Sequence, residues 1–297
     1  MFKSGYIAIV GRPNVGKSTF LNALLGQKIA AVSPKPQMTR RKILGIKHSP
    51  SGQILFLDTP GLHVPHRNLN ELMVEEAHRA VQDADVILFM MDASEGFTEE
   101  DQKIANLLFS KGKPIIIVLN KMDRVPVSER NIFMERCRIL FSNAPVLPLA
   151  ALQGQGLEDV EKEILEKLSE GPAYYPEDQV SDQTERFLVS EIIREKIMDL
   201  TQEEIPYSVT VVVEAFKEPK EEDVKKVVRI RASIITEKDS QKGILIGKGG
   251  QMIKKIGEES RKDIETQLEQ KVFLELFVRV EKDWTKDPSK LKEFGYE

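Results

Sequence analysis

The chain of 297 residues has one cysteine, one tryptophan and four histidines. The lone Cys137 excludes an intramolecular disulfide and a cysteine-rich zinc site, and it suits a reducing compartment. It falls in the helical stretch 131–140, where a small, partly buried residue is expected. The histidines take no metal-ligand spacing. His63 and His66 share one loop and are expected to move with it. No apolar run approaches the ~20 residues that cross a bilayer. The amino end has no signal-peptide pattern, and there is neither a Met-Gly start nor a carboxyl-terminal lipidation box. No internal repeat, low-complexity tract, Ser/His/Asp set or pair of catalytic carboxylates stands out. Secreted, membrane-spanning, disulfide-framed and zinc-dependent classes are therefore not expected. An apolar content of 41% with 30% charged residues is that of an ordinary soluble protein, and the length suits two domains.

Residues 11–18 read Gly-Arg-Pro-Asn-Val-Gly-Lys-Ser and fill every fixed position of the phosphate-binding pattern G-x-x-x-x-G-K-[ST]. Residues 6–10 form an apolar run of strand length before it, and residues 19–25 begin a helix after it. Glycines let such a loop curl its N–H groups onto phosphate oxygens, and the helix N-terminus adds partial positive charge. Gly11, Arg12, Pro13, Asn14, Val15, Gly16, Lys17, Ser18 and Thr19 are expected to surround a nucleotide. Lys17 would reach the β- and γ-phosphates and Ser18 would ligate Mg²⁺.

The loop does not choose the base. Asn120-Lys121-Met122-Asp123 follows the apolar run 114–119, which reads as a parallel strand covered on both faces. Ligands bind at the carboxyl ends of such strands. This N-K-x-D resembles the guanine-reading motif of GTPases. The Asp123 carboxylate can accept both N1–H and N2–H₂ of guanine, a donor pair adenine lacks. Asn120 and Lys121 are expected to brace the phosphate loop. Ala150 and Ala151 stand where a Ser-Ala pair is usual, and the Ala151 N–H is expected to meet the base.

A third motif, Asp58-Thr59-Pro60-Gly61, follows the strand-like run 53–57. Asp58 is expected to hold Mg²⁺ through water, and the Gly61 N–H to contact the γ-phosphate only when GTP is bound. Residues 32–41 contain two prolines and several basic residues without periodicity, and read as a loop. Its Thr39 is expected to bind Mg²⁺ and γ-phosphate. Leu62 stands where Ras-like enzymes place the glutamine that orients water, so slow unaided hydrolysis, or catalysis by another group, is expected.

The net charge of −4 hides a basic island. From Lys225 to Lys262 there are eleven Lys and Arg against four acids, a net charge of +7 over 38 residues. Charge alone also describes a solvated face. The island, however, holds Gly247-Lys248-Gly249-Gly250 inside a run that resembles the KH core, I-G-x-x-G followed by an apolar-periodic helix. Ile253, Ile256, Ile264 and Leu268 recur at helical intervals and are expected to face the core. A glycine turn lets a nucleic-acid backbone approach closely, and Gly247, Lys248, Gly249, Gly250, Lys254 and Lys255 are the expected RNA contacts. A helix at 185–200, strands at 208–216 and 227–236, and a third strand at 272–280 complete the type II order. A Gly- and Pro-broken stretch at 171–182 reads as the linker, between a first domain at 1–170 and a second at 183–297. The tail from Trp284 to Tyr296 is expected to pack over the second domain.

The motifs G-R-P-N-V-G-K-S, D-T-P-G, N-K-M-D and G-K-G-G in this order resemble the bacterial Era-like GTPases over nearly the whole chain. The resemblance implies an α/β P-loop GTPase domain, a mostly parallel sheet with helices on both faces, followed by an α+β type II KH domain. It implies Mg²⁺-dependent hydrolysis of GTP to GDP. It also implies binding to single-stranded RNA at the 3′ end of small-subunit (16S) ribosomal RNA, and assistance to small-subunit assembly. A cytoplasmic location with peripheral association at the inner membrane is implied, as is a potassium ion held with help from Asn14; a monomer is expected. Two positions depart from the family pattern: Met38, where a second threonine is usual, and Ala150. A scaffold with a purely structural nucleotide site is the alternative that Leu62 keeps open.

Overall fold

The computed structural model describes every residue except 34, 36–37, 62–67, 142, 203–204, 220–225 and 297. The expectations placed on Leu62, His63 and His66 therefore lie outside the described residues. Contacts divide the chain into two compact units. The first contains Met1–Ala30, Thr39–Pro65 and Met73–Asp182, and the second Ala31–Met38, His66–Leu72 and Gln183–Glu297.

In the first unit, strands β1 (Lys3–Val10), β2 (Ile43–Ser49), β3 (Gly52–Asp58), β4 (Val86–Asp92), β5 (Ile115–Asn120) and β6 (Val146–Pro148) form one sheet in the order β2-β3-β1-β4-β5-β6. Only β2 runs antiparallel, pairing with β3 at the edge. Strands β3, β4 and β5 are buried along their whole length. Continuous apolar runs such as Ile115–Leu119 have no polar face, so they are stable only with helices over both sides. Helices α1 (Lys17–Leu25), α2 (Asn68–Asp83), α3 (Glu99–Phe109), α4 (Val127–Leu140) and α5 (Leu157–Lys167) supply that cover. Thr98 and Asp101 form a capping box at the start of α3, satisfying donors a helix N-terminus otherwise leaves open.

Cys137 on α4 is more buried than its sequence suggests, at 2% exposure. Burial pushes its thiol up to about 11. Residues 171–182, which read as a linker, lie along the first unit. The Gln53 side chain accepts from the N–H of Tyr174 and of Tyr175 and donates to the Tyr175 carbonyl. The Ser181 hydroxyl donates to the Leu44 carbonyl at 2.6 Å, and the Ile46 N–H to that of Val180 at 2.8 Å.

In the second unit, α6 (Glu185–Leu200), β7 (Thr210–Lys217), β8 (Val227–Thr236), α7 (Asp239–Ile246), α8 (Gln251–Leu268) and β9 (Lys271–Val280) follow in the type II KH order. The sheet runs β7-β8-β9, with β8 antiparallel to β7 and parallel to β9. Val189, Ile193 and Ile197 of α6, Ile230 and Ile234 of β8, and Ile256 and Ile264 of α8 form its core. Ile253 and Leu268 pack against that core from partly buried positions. The tail packs as expected. Trp284 is fully buried, donates its indole N–H to the Ser208 carbonyl at 3.0 Å, and contacts the rings of Phe294 and Tyr296.

Candidate nucleotide site and nucleic-acid groove

The three motifs of the first unit leave the carboxyl ends of three parallel strands of one sheet. Gly11 follows β1, Asp58 ends β3 and Asn120 ends β5, so the topology gathers them at one rim. Within the loop, Gly16 has a φ of 100°, and a Cβ there would stand 2.2 Å from Asn120 Nδ2. A Cβ at Gly61 would stand 2.7 Å from the Pro13 nitrogen. These two glycines keep open a cradle of backbone that any side chain would fill.

Lys17 begins α1 and is buried. Its ammonium donates to the carbonyls of Gly11 at 3.0 Å and Arg12 at 2.9 Å. Burial pulls its pKa down to about 8. Asp58 is wholly buried. Its Oδ2 accepts from the Ser18 hydroxyl at 2.7 Å and from Thr39 at 3.3 Å, and the two hydroxyls lie 2.9 Å apart. Asp58 Oδ1 is buried with no hydrogen-bond partner among the described residues, and burial pushes the carboxyl above its ordinary value. An ammonium and a carboxylate both driven toward neutrality describe a site built for missing charges, an anion for Lys17 and a cation for Asp58. Three hard oxygen side chains with one orphaned carboxylate oxygen fit Mg²⁺.

Asn120 spans two loops, donating to the Val15 carbonyl at 2.8 Å and accepting from the Ala151 N–H at 3.0 Å. The Ala151 N–H, expected at the base, thus has a protein partner. The Ala150 N–H donates to the Gln155 carbonyl. Lys121, at a φ of 62°, donates to the Asn14 carbonyl at 2.8 Å and pairs with Asp92 at 2.6 Å. Burial opposes ionisation of Asp92, yet hydrogen bonds from Lys121 and Ser94 hold its carboxyl below the usual range. Asp123 sits in the turn Met122–Arg124, with Gln153 Nε2 at 3.4 Å from Oδ2. The Thr59 hydroxyl turns away from the rim to the Ile9 carbonyl.

Sequence reasoning missed Asp92 and the partners of Arg12. Arg12 Nε bonds Asp101 Oδ1 at 2.9 Å, and Nη1 pairs with Glu95 at 2.9 Å. The position of Asp92 at the end of a parallel strand was the available signal. Among the described residues no cluster of three or more His, Cys, Asp or Glu could hold a metal.

In the second unit, Gly247–Gly250 joins α7 to α8. Gly249 and Gly250 have φ of 61° and 80°, and a Cβ at either would meet open space. Backbone conformation thus demands glycine, and the exposed turn leaves room for another chain's backbone. Lys248, Lys254 and Lys255 are exposed. Glu258 and Glu259 stand 3.9 and 4.0 Å from the latter two, distances at which exposed pairs contribute little. A groove of about 330 Å³ between α8 and β9 is lined by Ile253, Lys254, Gly257, Arg261, Leu274 and Leu276. The sequence did not single out Arg261 and the two leucines, because only pairing places β9 beside α8.

This combination is that of a P-loop GTPase unit joined to a type II KH unit. The family described as 50S ribosome-binding GTPase matches residues 6–121, and the KH domain family matches residues 204–285. The chain is 48% identical over 296 residues to the GTPase Era of Syntrophus aciditrophicus (strain SB), covering 100% of this chain and 96% of that one. It therefore belongs to the Era GTPase family. It is similar to a crystal structure of Era in complex with MgGDPNP and nucleotides 1506–1542 of 16S ribosomal RNA, with a TM-score of 0.94, 41% identity, and coverage of 100% and 99% of the two chains. An Aquifex aeolicus Era bound to GDP·AlF4⁻ matches with the same TM-score and identity over 99% of each chain.

Proposed function

We propose that the chain is a GTP-hydrolysing switch that binds single-stranded RNA at the 3′-end region of 16S ribosomal RNA and assists assembly of the small ribosomal subunit. The observation that carries the nucleotide half is the meeting of Ser18, Thr39 and Asp58 beside the buried Lys17. The RNA half is supported by the glycine turn, the exposed lysines and the relative that binds nucleotides 1506–1542.

In this reading Lys17 meets the β- and γ-phosphates, and the N–H groups of the loop from Gly11 to Thr19 line them. Ser18, Thr39 and Asp58 would hold Mg²⁺, which neutralises phosphate charge as it develops. The Gly61 N–H and Thr39 sense the γ-phosphate. Asp123 reads guanine, while Asn120 and Lys121 keep the phosphate loop and the loop at 150–151 in register. Water attacks the γ-phosphorus, the bond to the bridging oxygen breaks, and GDP and phosphate result. Asn14 would help hold a potassium ion beside the transferring phosphate. The proposed cell location is the cytoplasm, as a monomer, with any membrane association peripheral.

GTP turnover in Mg²⁺ and K⁺, with and without RNA of nucleotides 1506–1542, tests the whole. Stimulation by the RNA, abolished in the K248D/G249D double variant, is the expected result. Unstimulated turnover with intact RNA binding would reduce the protein to two independent activities on one chain. Because coupling is reciprocal, RNA must shift GTP affinity by the factor that GTP shifts RNA affinity.

A further inference from the structure

The solvent face of the β7-β8-β9 sheet carries two aromatic rings left open. Along β9, Leu274 and Leu276 line the groove against α8, while Phe273, Glu275, Phe277 and Arg279 alternate onto the opposite face. The parallel register places Arg229 beside Phe273, Arg231 beside Glu275 and Ser233 beside Phe277. Phe273 is 50% exposed and Phe277 45%. The Arg229 guanidinium lies 5.8 Å from the centre of the Phe273 ring, and that of Arg231 lies 5.6 Å from Phe277. The far end of this face is closed. Thr210 and Ile235 are buried there, and the Thr210 hydroxyl lies 3.0 Å from that of Tyr296. The tail's cover stops short of the two rings.

The charge of the open part is positive. Lys217 and Arg229 face each other across β7 and β8, with no ion partner among the described residues. Arg231 lies 3.5 Å from Glu275, and Arg279 lies 3.3 Å from Glu214. Four cations thus share the surface with three carboxylates, Glu275, Glu214 and Glu281, and Glu281 lies 3.2 Å from Arg279. A solvated sheet face needs no half-exposed phenyl rings, each with a guanidinium carbon within about 6 Å of its centre.

We propose that this face is a second binding surface for single-stranded RNA, on which bases stack against Phe273 and Phe277 while Lys217 and Arg229 meet phosphates. It rests on the RNA reading above. Aromatic rings among cations are the means by which proteins hold unpaired strands, since every base has a flat face to stack. The position of β9 adds to this. It is the edge strand of its sheet, with the α8 groove on one side and the two rings on the other. A groove of KH type holds about four nucleotides. The strand emerging from it needs only to cross the β9 edge to reach Phe273 and Phe277.

The test is binding of the full-length protein to nested single-stranded RNAs of about 5 to 20 nucleotides from the 3′ end of 16S ribosomal RNA, a range that starts near the four a KH groove holds. The F273A/F277A double variant should bind the shortest RNA as wild type does, and should lose about 10-fold or more in affinity for the longest, the effect of one or two stacked bases. R229Q, which leaves the rings in place, should weaken only the longer RNAs. F273L/F277L should behave like the alanine pair; full affinity with leucine would overturn stacking. Identical length dependence in wild type and all variants would overturn the proposal and mark the face as a protein-binding one. Failure of wild type to bind RNA of any length would instead overturn the RNA reading on which it rests.

Discussion

Asn120 Nδ2 and the Val15 carbonyl stand 2.8 Å apart across 105 residues of sequence, and the same side chain receives the Ala151 N–H at 3.0 Å. One amide thereby ties the phosphate loop to the loop at 150–151. Asn120→Ala leaves a buried acceptor and a buried donor unpaired, each worth about 1–3 kcal/mol. The expected result is a loss of about 2–4 kcal/mol in denaturant unfolding of the nucleotide-free protein, together with weaker GTP binding. Unchanged stability would mean that water replaces both contacts.

Lys17 is held against its solvation. Its folded pKa of about 8 lies below the ordinary 10.5, so nucleotide-free protein carries a destabilising buried ammonium at neutral pH. Between these values the unfolded chain keeps the proton and the folded chain releases it, so the penalty fades as pH rises from about 8 to 10.5. Lys17→Met should raise nucleotide-free stability by about 1–3 kcal/mol at pH 7, the lower end reflecting the lost neighbour of Asp58. The difference should shrink above pH 8, and nucleotide binding should collapse. Chemical denaturation of both proteins at several pH values reads the result.

Asp101 joins two structures. One oxygen receives Arg12 Nε, and the other receives the Thr98 N–H and hydroxyl. Asp101→Ala removes the carboxylate half of the α3 capping box, while the Thr98 hydroxyl still accepts from the backbone N–H, and it leaves the Arg12 guanidinium with Glu95 alone, at about 3–4 kcal/mol. Thr98→Ala removes only the cap, at about 1 kcal/mol. GTP affinity should fall in the first variant and hold in the second. Equal effects would mean that Arg12 contributes nothing to loop placement.

Asp123→Asn offers a carbonyl and an amide where guanine needs two acceptors. It should weaken GTP and favour xanthosine triphosphate, whose base accepts where guanine donates. Competition binding with the two triphosphates measures the preference. An unaltered preference would place the base reader elsewhere.

Much of this was legible in the chain. Apolar runs without polar alternation marked β1, β3 and β5 because buried parallel strands need no polar face, and glycine, aspartate and asparagine at their ends marked the rim. The helix expected at 185–200 is α6, which the structure shows capped by Thr184, whose hydroxyl accepts from the Phe187 N–H. What sequence could not give were pairings set by register and by side-chain reach. Asp92 closes an apolar run, but its place beside Asn120 across β4 and β5 follows only from strand pairing. Residues 171–182 looked like a connector because proline and glycine break helices, but Gln53, far away in sequence, fastens them. The 272–280 run was legible as a strand, but that Phe273 and Phe277 share an open face follows only from its pairing with β8.

Cys137 gives the protein a private clock. It is the chain's single thiol, enclosed by the core of the first unit and held protonated by that enclosure. An alkylating reagent needs the thiolate in solvent, and here it must wait for α4 to open. The rate of labelling in native buffer therefore times the rare excursions of the nucleotide-binding unit, with no probe added and no residue changed. Occupancy of that unit by GTP or GDP should be visible as the slowing of one chemical reaction at one sulfur atom.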